Sequence, residues 1–230
     1  MRFFTDISTE ISRYCLLNVK QYNNPKKEKK SLIYIDPSVY ELKDSDEYSK
    51  IDLLHELASG KLKENEYISI DYPCDMNIAY TDLFIEKSIK NNLRYKDNEK
   101  YICTIQFKFE DFHDFKYQFE YLEEQIDFSR KIIGLGNLCR IMYPNVFMDE
   151  VFDYLRQRPY QYHFYGLSLR IIKKYIIHFP TCSVDSTKWT RACNNTLKSQ
   201  YGLKCKKANR NAFFEEYMKE IEKSGILVEY

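Results

Sequence analysis

Residues 131–180 read KIIGLGNLCRIMYPNVFMDEVFDYLRQRPYQYHFYGLSLRIIKKYIIHFP. A short apolar run, KIIGLG (131–136), precedes apolar positions spaced for a helix over Val146 to Arg156. A second run, YHFYGL (162–167), precedes a helical stretch over Leu169 to Ile177. Strand, helix, strand, helix is the signature of a parallel sheet, because adjacent parallel strands are joined by a crossover and the crossover is usually a helix.

The same alternation extends in both directions. RFFTDI (2–7), YCLLNV (14–19), SLIYID (31–36), YISIDY (67–72), YICTIQF (101–107) and TCSVD (181–185) are further strand-like runs, with helical periodicity over Lys50 to Ala58, Thr81 to Asn91 and Phe112 to Gln125. Eight runs predict an α/β fold, a compact (β/α)8 TIM-type barrel ending near residue 187; an open doubly wound sheet is the alternative. The first connections are short or Lys-rich, and NNPKKEKK (23–30) reads as a solvated loop. Trp189 to Tyr201 and Asn211 to Ser224 read as closing helices, the last one stopped by a glycine. With 230 residues, 44% of them hydrophobic, one domain with one sizeable core is expected over 1–230.

Thirty-five Lys and Arg against 34 Asp and Glu leave the whole chain without a preference for nucleic acid, membrane or acidic ligands. Any such preference must be local. No apolar run approaches the length of a membrane span, and MRFFTDISTE turns polar too early for a signal peptide, so a cytoplasmic protein with no membrane partner is expected. The seven cysteines are odd in number and mostly set in apolar runs, which fits reduced thiols. There is no CxxC pair, and His178, Cys182, Cys193 and Cys205 could converge on a metal only through tertiary folding. No metal and no cofactor are predicted.

In a parallel α/β barrel the active site is built at the C-terminal ends of the strands, so polar residues closing apolar runs are the candidates. They are Asp36, Asp71, Gln106, Gly134, Gly136, Gly166 and Asp185. Each aspartate is also a reasonable cap for a following helix, and paired glycines after a strand often mean only a tight turn. Together, however, three carboxylates and an amide at one mouth suit chemistry at a sugar anomeric carbon, where the transition state is positive and oxocarbenium-like. A carboxylate with an amide and a backbone N–H also matches a guanine-like edge.

The ordered segments IDPSVYEL (35–42), SIDYPCD (69–75), TIQF (104–107), IIGLGNLCR (132–140), HFYGLSL (163–169) and CSVDSTKW (182–189) resemble the tRNA-guanine transglycosylase superfamily, most of all its small 7-deazaguanine DNA transglycosylase-like members from bacteria and their viruses. The resemblance spans roughly residues 1–192. It implies Asp185 as the nucleophile at C1′ and Asp36 as the general acid/base. It also implies Asp71 and Gln106 as readers of the purine edge, with backbone around Gly134 to Gly136 donating to O6. The implied reaction exchanges guanine for a 7-deazaguanine base without cutting the strand. Departures are DPSVY in place of the family's Asp-Ser-Gly-Gly-aromatic turn, a reduced GLGN turn, and the absence of the tRNA enzymes' zinc motif. The missing zinc motif points to DNA over tRNA.

Lys188, Arg191, Lys198, Lys204, Lys206, Lys207 and Arg210 form an interval without Asp or Glu, a candidate phosphate-binding stretch or a solvated helix face. Trp189, Tyr165 and Phe107 are candidates to stack on an extruded base, with core packing as their alternative role. The expected partners are nucleic acid, DNA favoured and tRNA possible, and a free deazapurine base. Competing functions are a tRNA-type transglycosylase, a nucleosidase on small nucleosides, and a barrel that binds nucleic acid without catalysis.

Overall fold

The computed structural model describes residues 1–6, 9–37, 47–72, 78–186 and 207–230. Eight strands are present among them: β1 (Arg2–Phe4), β2 (Tyr14–Asn18), β3 (Leu32–Asp36), β4 (Glu66–Ile68), β5 (Cys103–Ile105), β6 (Ile132–Leu135), β7 (Gln161–Phe164) and β8 (Ser183–Asp185). Each falls within or beside one of the apolar runs. The helices are α1 (Glu47–Glu56), α2 (Ile78–Arg94), α3 (Phe112–Gln125), α4 (Val146–Arg156), α5 (Leu169–Tyr175) and α6 (Lys207–Glu222).

Every strand pairing is parallel. One sheet runs β1-β8-β7-β6-β5 and the other β2-β3-β4. Two isolated parallel bridges join their outer strands. Thr5 pairs with Cys15, and Ile68 pairs with Tyr101 just before β5. The bridges carry hydrogen bonds from Leu16 N–H to Thr5 O and from Ile102 N–H to Ile68 O, each 2.8 Å. A small apolar cluster of Phe4, Tyr34, Ile102 and Ile132 draws on both sheets. The larger clusters lie on the other strand faces, where Ile133, Leu135, Tyr162 and Phe164 meet the helices.

Local signals explain the helix boundaries. Asp111 accepts the Asp114 N–H at 2.9 Å to cap α3, and Asn145 accepts the Met148 N–H at 2.9 Å to cap α4. The buried face of α4, Phe147, Met148, Val151, Phe152 and Leu155, has the spacing of a helix against a sheet. The predicted continuation of the first helix to Ala58 becomes a π turn, Leu57–Lys61, ended by Gly60 at φ 126°.

The solvated-loop reading of residues 23–30 needs correction. Pro25–Lys29 form a 3-10 helix, and Lys27 and Lys30 are buried. Lys27 Nζ meets the fully buried Glu66 at 2.9 Å, while Lys30 Nζ donates to Thr9 O at 2.7 Å and Ser12 O at 2.6 Å. The lysines serve as donors that saturate carbonyls and a carboxylate beneath the connection. Cys15, Cys103 and Cys182 are free thiols, and burial pushes each of them up to about 12. No helix among the described residues is long and apolar enough to cross a membrane.

Candidate active site

Asp185 ends β8, with Phe4 beside it on β1. Its Oδ1 accepts the Gly166 N–H at 2.9 Å, so the carboxylate is tied across the sheet. Gly166 holds this position at φ +63°, and a Cβ there would lie 2.4 Å from Cys139 Cβ. Only glycine combines that left-handed backbone with so little room.

A second group faces the same oxygen. His163, central in β7 and fully buried, places Nε2 3.5 Å from Asp185 Oδ1, while its Nδ1 lies 2.9 Å from Ser183 Oγ. The rings of Phe4, Tyr34 and Tyr165 surround the imidazole edge-on, at centroid distances of 5.4, 4.9 and 4.5 Å. Sequence reasoning passed over His163. A lone histidine inside an apolar run has no telling spacing; only its register, opposite Ser183, gives it meaning.

On the other flank, Gln106 Nε2 donates to Asp71 Oδ2 at 2.7 Å, and both side chains are buried. Burial pushes the Asp71 carboxyl above the usual range, opposed by hydrogen bonds from Gln106 and Ser69. Gln106 Oε1 is buried without a hydrogen-bond partner. Gly136 makes the space for this amide, since a Cβ there would sit 2.3 Å from Gln106 Nε2. Of the backbone around Gly134 to Gly136 expected to donate to a base, the Gly136 N–H is bonded to Ile105 O at 3.1 Å. Its contribution is clearance.

Tyr165 connects the two flanks. Its ring lies against Gly134, where a Cβ would come within 2.8 Å of it. Its hydroxyl lies 3.4 Å from both Ser69 Oγ and Thr104 Oγ1. Burial first, then the negative charge of Asp71, hold its pKa well above the ordinary value, and Asp36 acts in the same direction. Asp36 ends β3 in register with Asn18 and is half-buried. The charges of Asp36 and Asp71 thus reach one hydroxyl, whose ring packs on the histidine beside Asp185.

Other sequence candidates fall elsewhere. Phe107 is core, with rings of Phe115 and Phe147 at 5.1 and 5.9 Å, so it cannot receive a base. Lys188, Trp189, Arg191, Lys198, Lys204 and Lys206 lie outside the described residues. Lys207 opens α6 and Arg210 is half-buried within it. Among the described residues no three His, Cys, Asp or Glu side chains cluster as a metal site, and Cys193 and Cys205 lie outside those residues. A cavity of about 320 Å³ lined by Arg2, Tyr34, Tyr67 and Arg130 opens at the N-terminal ends of the strands, opposite the carboxylates. There Arg130 already pairs with Glu99.

The strand ends therefore collect an oriented carboxylate, a hydrogen-bonded Asp–Gln pair with a buried orphan acceptor, and a third carboxylate within electrostatic reach of the tyrosine between them. No protein-family model and no curated protein matches this chain.

Proposed function

We propose that this chain is a base-exchange enzyme, a transglycosylase that replaces guanine in nucleic acid, DNA favoured, with a 7-deazaguanine base through an aspartyl-nucleoside intermediate. In this reading the two sheets form one eight-stranded (β/α)8 barrel. The bridges Thr5–Cys15 and Ile68–Tyr101 and the shared cluster of Phe4, Tyr34, Ile102 and Ile132 support it. The carboxylates then occupy one rim.

The carrying observation is the pairing of Asp71 with Gln106 beside a carboxylate fixed by a backbone N–H. A guanine edge offers N–H donors at N1 and the exocyclic amine. Asp71 and the orphan Gln106 Oε1 are acceptors, and the amide hydrogen that Gln106 does not give to Asp71 suits O6. Satisfying a buried acceptor makes recognition stringent, because a base lacking the donor leaves it orphaned.

With Oδ1 of Asp185 held by Gly166, Oδ2 is the attacking atom. It forms a bond to C1′ as the C1′–N9 bond breaks, and the electron pair passes to N9, which takes a proton from Asp36. The Asp36 carboxylate then removes the N9 proton of the incoming base, and that nitrogen displaces Asp185 from C1′. Two inversions give retention at C1′.

The test is incorporation of radiolabelled guanine into DNA and into tRNA by the purified protein. Label in either polymer, with loss of both label and covalent adduct in Asp185→Ala, is the expected outcome. No incorporation into any polymer, or an adduct that survives Asp185→Ala, overturns the proposal.

A further inference from the structure

The loops following β5, β6 and β7 carry a surface beside the candidate site. Of the eight large apolar side chains exposed among the described residues, four lie here: Phe109 at 46%, Met142 at 50%, Tyr143 at 60% and Val146 at 74%. Such a concentration on one rim marks an interaction surface. The loops are tied together. Asn145 Nδ2 donates to Glu110 Oε1 at 2.7 Å, joining the segments after β5 and β6, and Ser168 Oγ donates to Met142 O at 2.9 Å, joining those after β6 and β7. The platform is braced by side chains from three connections.

Its charge is also informative. The Arg140 guanidinium lies 5.5 Å from the Phe109 ring centre, and the Arg170 guanidinium 4.4 Å from that of Tyr143. A guanidinium against one part of an aromatic ring leaves the rest of an exposed ring for a planar ligand, with a cation at hand for the phosphate beside it. Of the nearby acids, Asp111 and Asp114 accept backbone N–H groups from Asp114 and Lys108, Asp82 pairs with Lys108, and Glu110 accepts from the Asn145 amide.

We infer that this face docks single-stranded DNA, with unstacked bases on Phe109 and Tyr143 and a phosphate at the exposed Arg170. Stacking platforms select bases already out of a duplex. Met142 and Val146 suit the apolar C2′ methylene of deoxyribose, whereas the ribose hydroxyl would lose water against them. The choice of nucleic acid as occupant rests on the base-exchange reading; the surface itself does not. It lies on the loops that also hold Gln106, Gly136 and Gly166.

Fluorescence anisotropy with a labelled 20-nucleotide single-stranded deoxyoligonucleotide tests the inference on the full chain. Tyr143→Ala is expected to weaken binding about tenfold, as loss of one stacked base does. Arg170→Gln should lower the slope of log K against log salt by about 0.7, the value for one lost single-strand phosphate contact. Unchanged thermal melting shows that the exposed substitutions leave the fold intact. Equal or tighter binding to duplex DNA or to the matching RNA overturns the inference, as does wild-type affinity in Tyr143→Ala with Phe109→Ala combined. The two proposals separate cleanly. Guanine incorporation by a protein whose platform variants bind normally refutes only the surface, while platform-dependent binding without incorporation refutes only the enzyme.

Discussion

His163 Nε2 and the Gly166 N–H both face Oδ1 of Asp185, at 3.5 and 2.9 Å, so one carboxylate oxygen is addressed from two directions. That nitrogen is sealed from water and completes no hydrogen bond, to Asp185 or to any other described residue. Ser183 engages Nδ1, so Nε2 is the ring nitrogen turned toward Asp185, and in the base-exchange reading an N–H there would steady the carboxylate as it leaves C1′.

Replacing this donor is therefore expected to affect turnover more than binding. His163→Phe should lower kcat in base exchange by about 10- to 100-fold, the worth of one hydrogen bond to a charged group if Nε2 closes on the departing carboxylate, with KM nearly unchanged. His163→Gln, which retains an N–H, should recover part of that loss. Steady-state kinetics of both variants provide the check; a parallel fall in thermal stability without the kcat–KM split would indicate a purely structural role.

Gly136→Ala should leave the fold standing and damage recognition. The added methyl would lie 2.3 Å from Gln106 Nε2, the end of a flexible side chain, which moves away and gives up its 2.7 Å bond to Asp71. The expected result is a KM for the nucleobase raised about tenfold or more, the order of one lost hydrogen bond to a charged group, with thermal melting little changed.

Asp71 carries a stability effect of definite sign. Burial raises its folded pKa above the ordinary 3.8, so the folded state holds its proton more tightly than the unfolded chain does. That favourable contribution is complete below the unfolded pKa and is lost as pH rises through the folded value. Asp71→Asn is expected to raise the melting temperature at pH 7 relative to the parent, with the difference shrinking as pH falls toward 3.8, while base exchange is lost. Melting curves across that range, paired with incorporation assays, measure both effects.

The buried Lys27–Glu66 pair makes a contrasting case. Glu66 accepts from Lys27 Nζ at 2.9 Å, Tyr22 Oη at 3.0 Å and the Lys63 N–H at 3.0 Å, and its side chain is fully buried. Lys27→Met strands that carboxylate and should cost about 3–5 kcal/mol in urea unfolding. Lys27→Met combined with Glu66→Gln should recover part of the loss, because the amide carries no charge.

Much of the fold could be read from local chemistry. The alternation of KIIGLG, a helical stretch and YHFYGL predicts β6 and α4 to within a residue and β7 with its end three residues too far along, since parallel strands buried on both faces are continuous apolar runs and their crossovers carry helical periodicity. Asp111, Asn145 and Ser168 cap helices through bonds to residues only three positions along. Such signals survive in one dimension because both partners are neighbours in the chain.

The site divides along the same line. Strand-end chemistry singles out Asp36, Asp71, Gln106 and Asp185 from the sequence, because a polar group closing an apolar run is conspicuous wherever the chain goes next. The Asp71–Gln106 bond joins residues 35 apart, Gly166 reaches Asp185 across 19, and His163 gains its role only opposite Ser183. Lys27 and Lys30, which read as solvated charges, are buried because Glu66 and the carbonyls of Thr9 and Ser12 come to meet them. Local sequence chemistry decides which backbone segments become strands and helices. Strand register decides which buried polar groups satisfy one another, since a donor and an acceptor must come within hydrogen-bonding distance and spacing along the chain says little about separation in space.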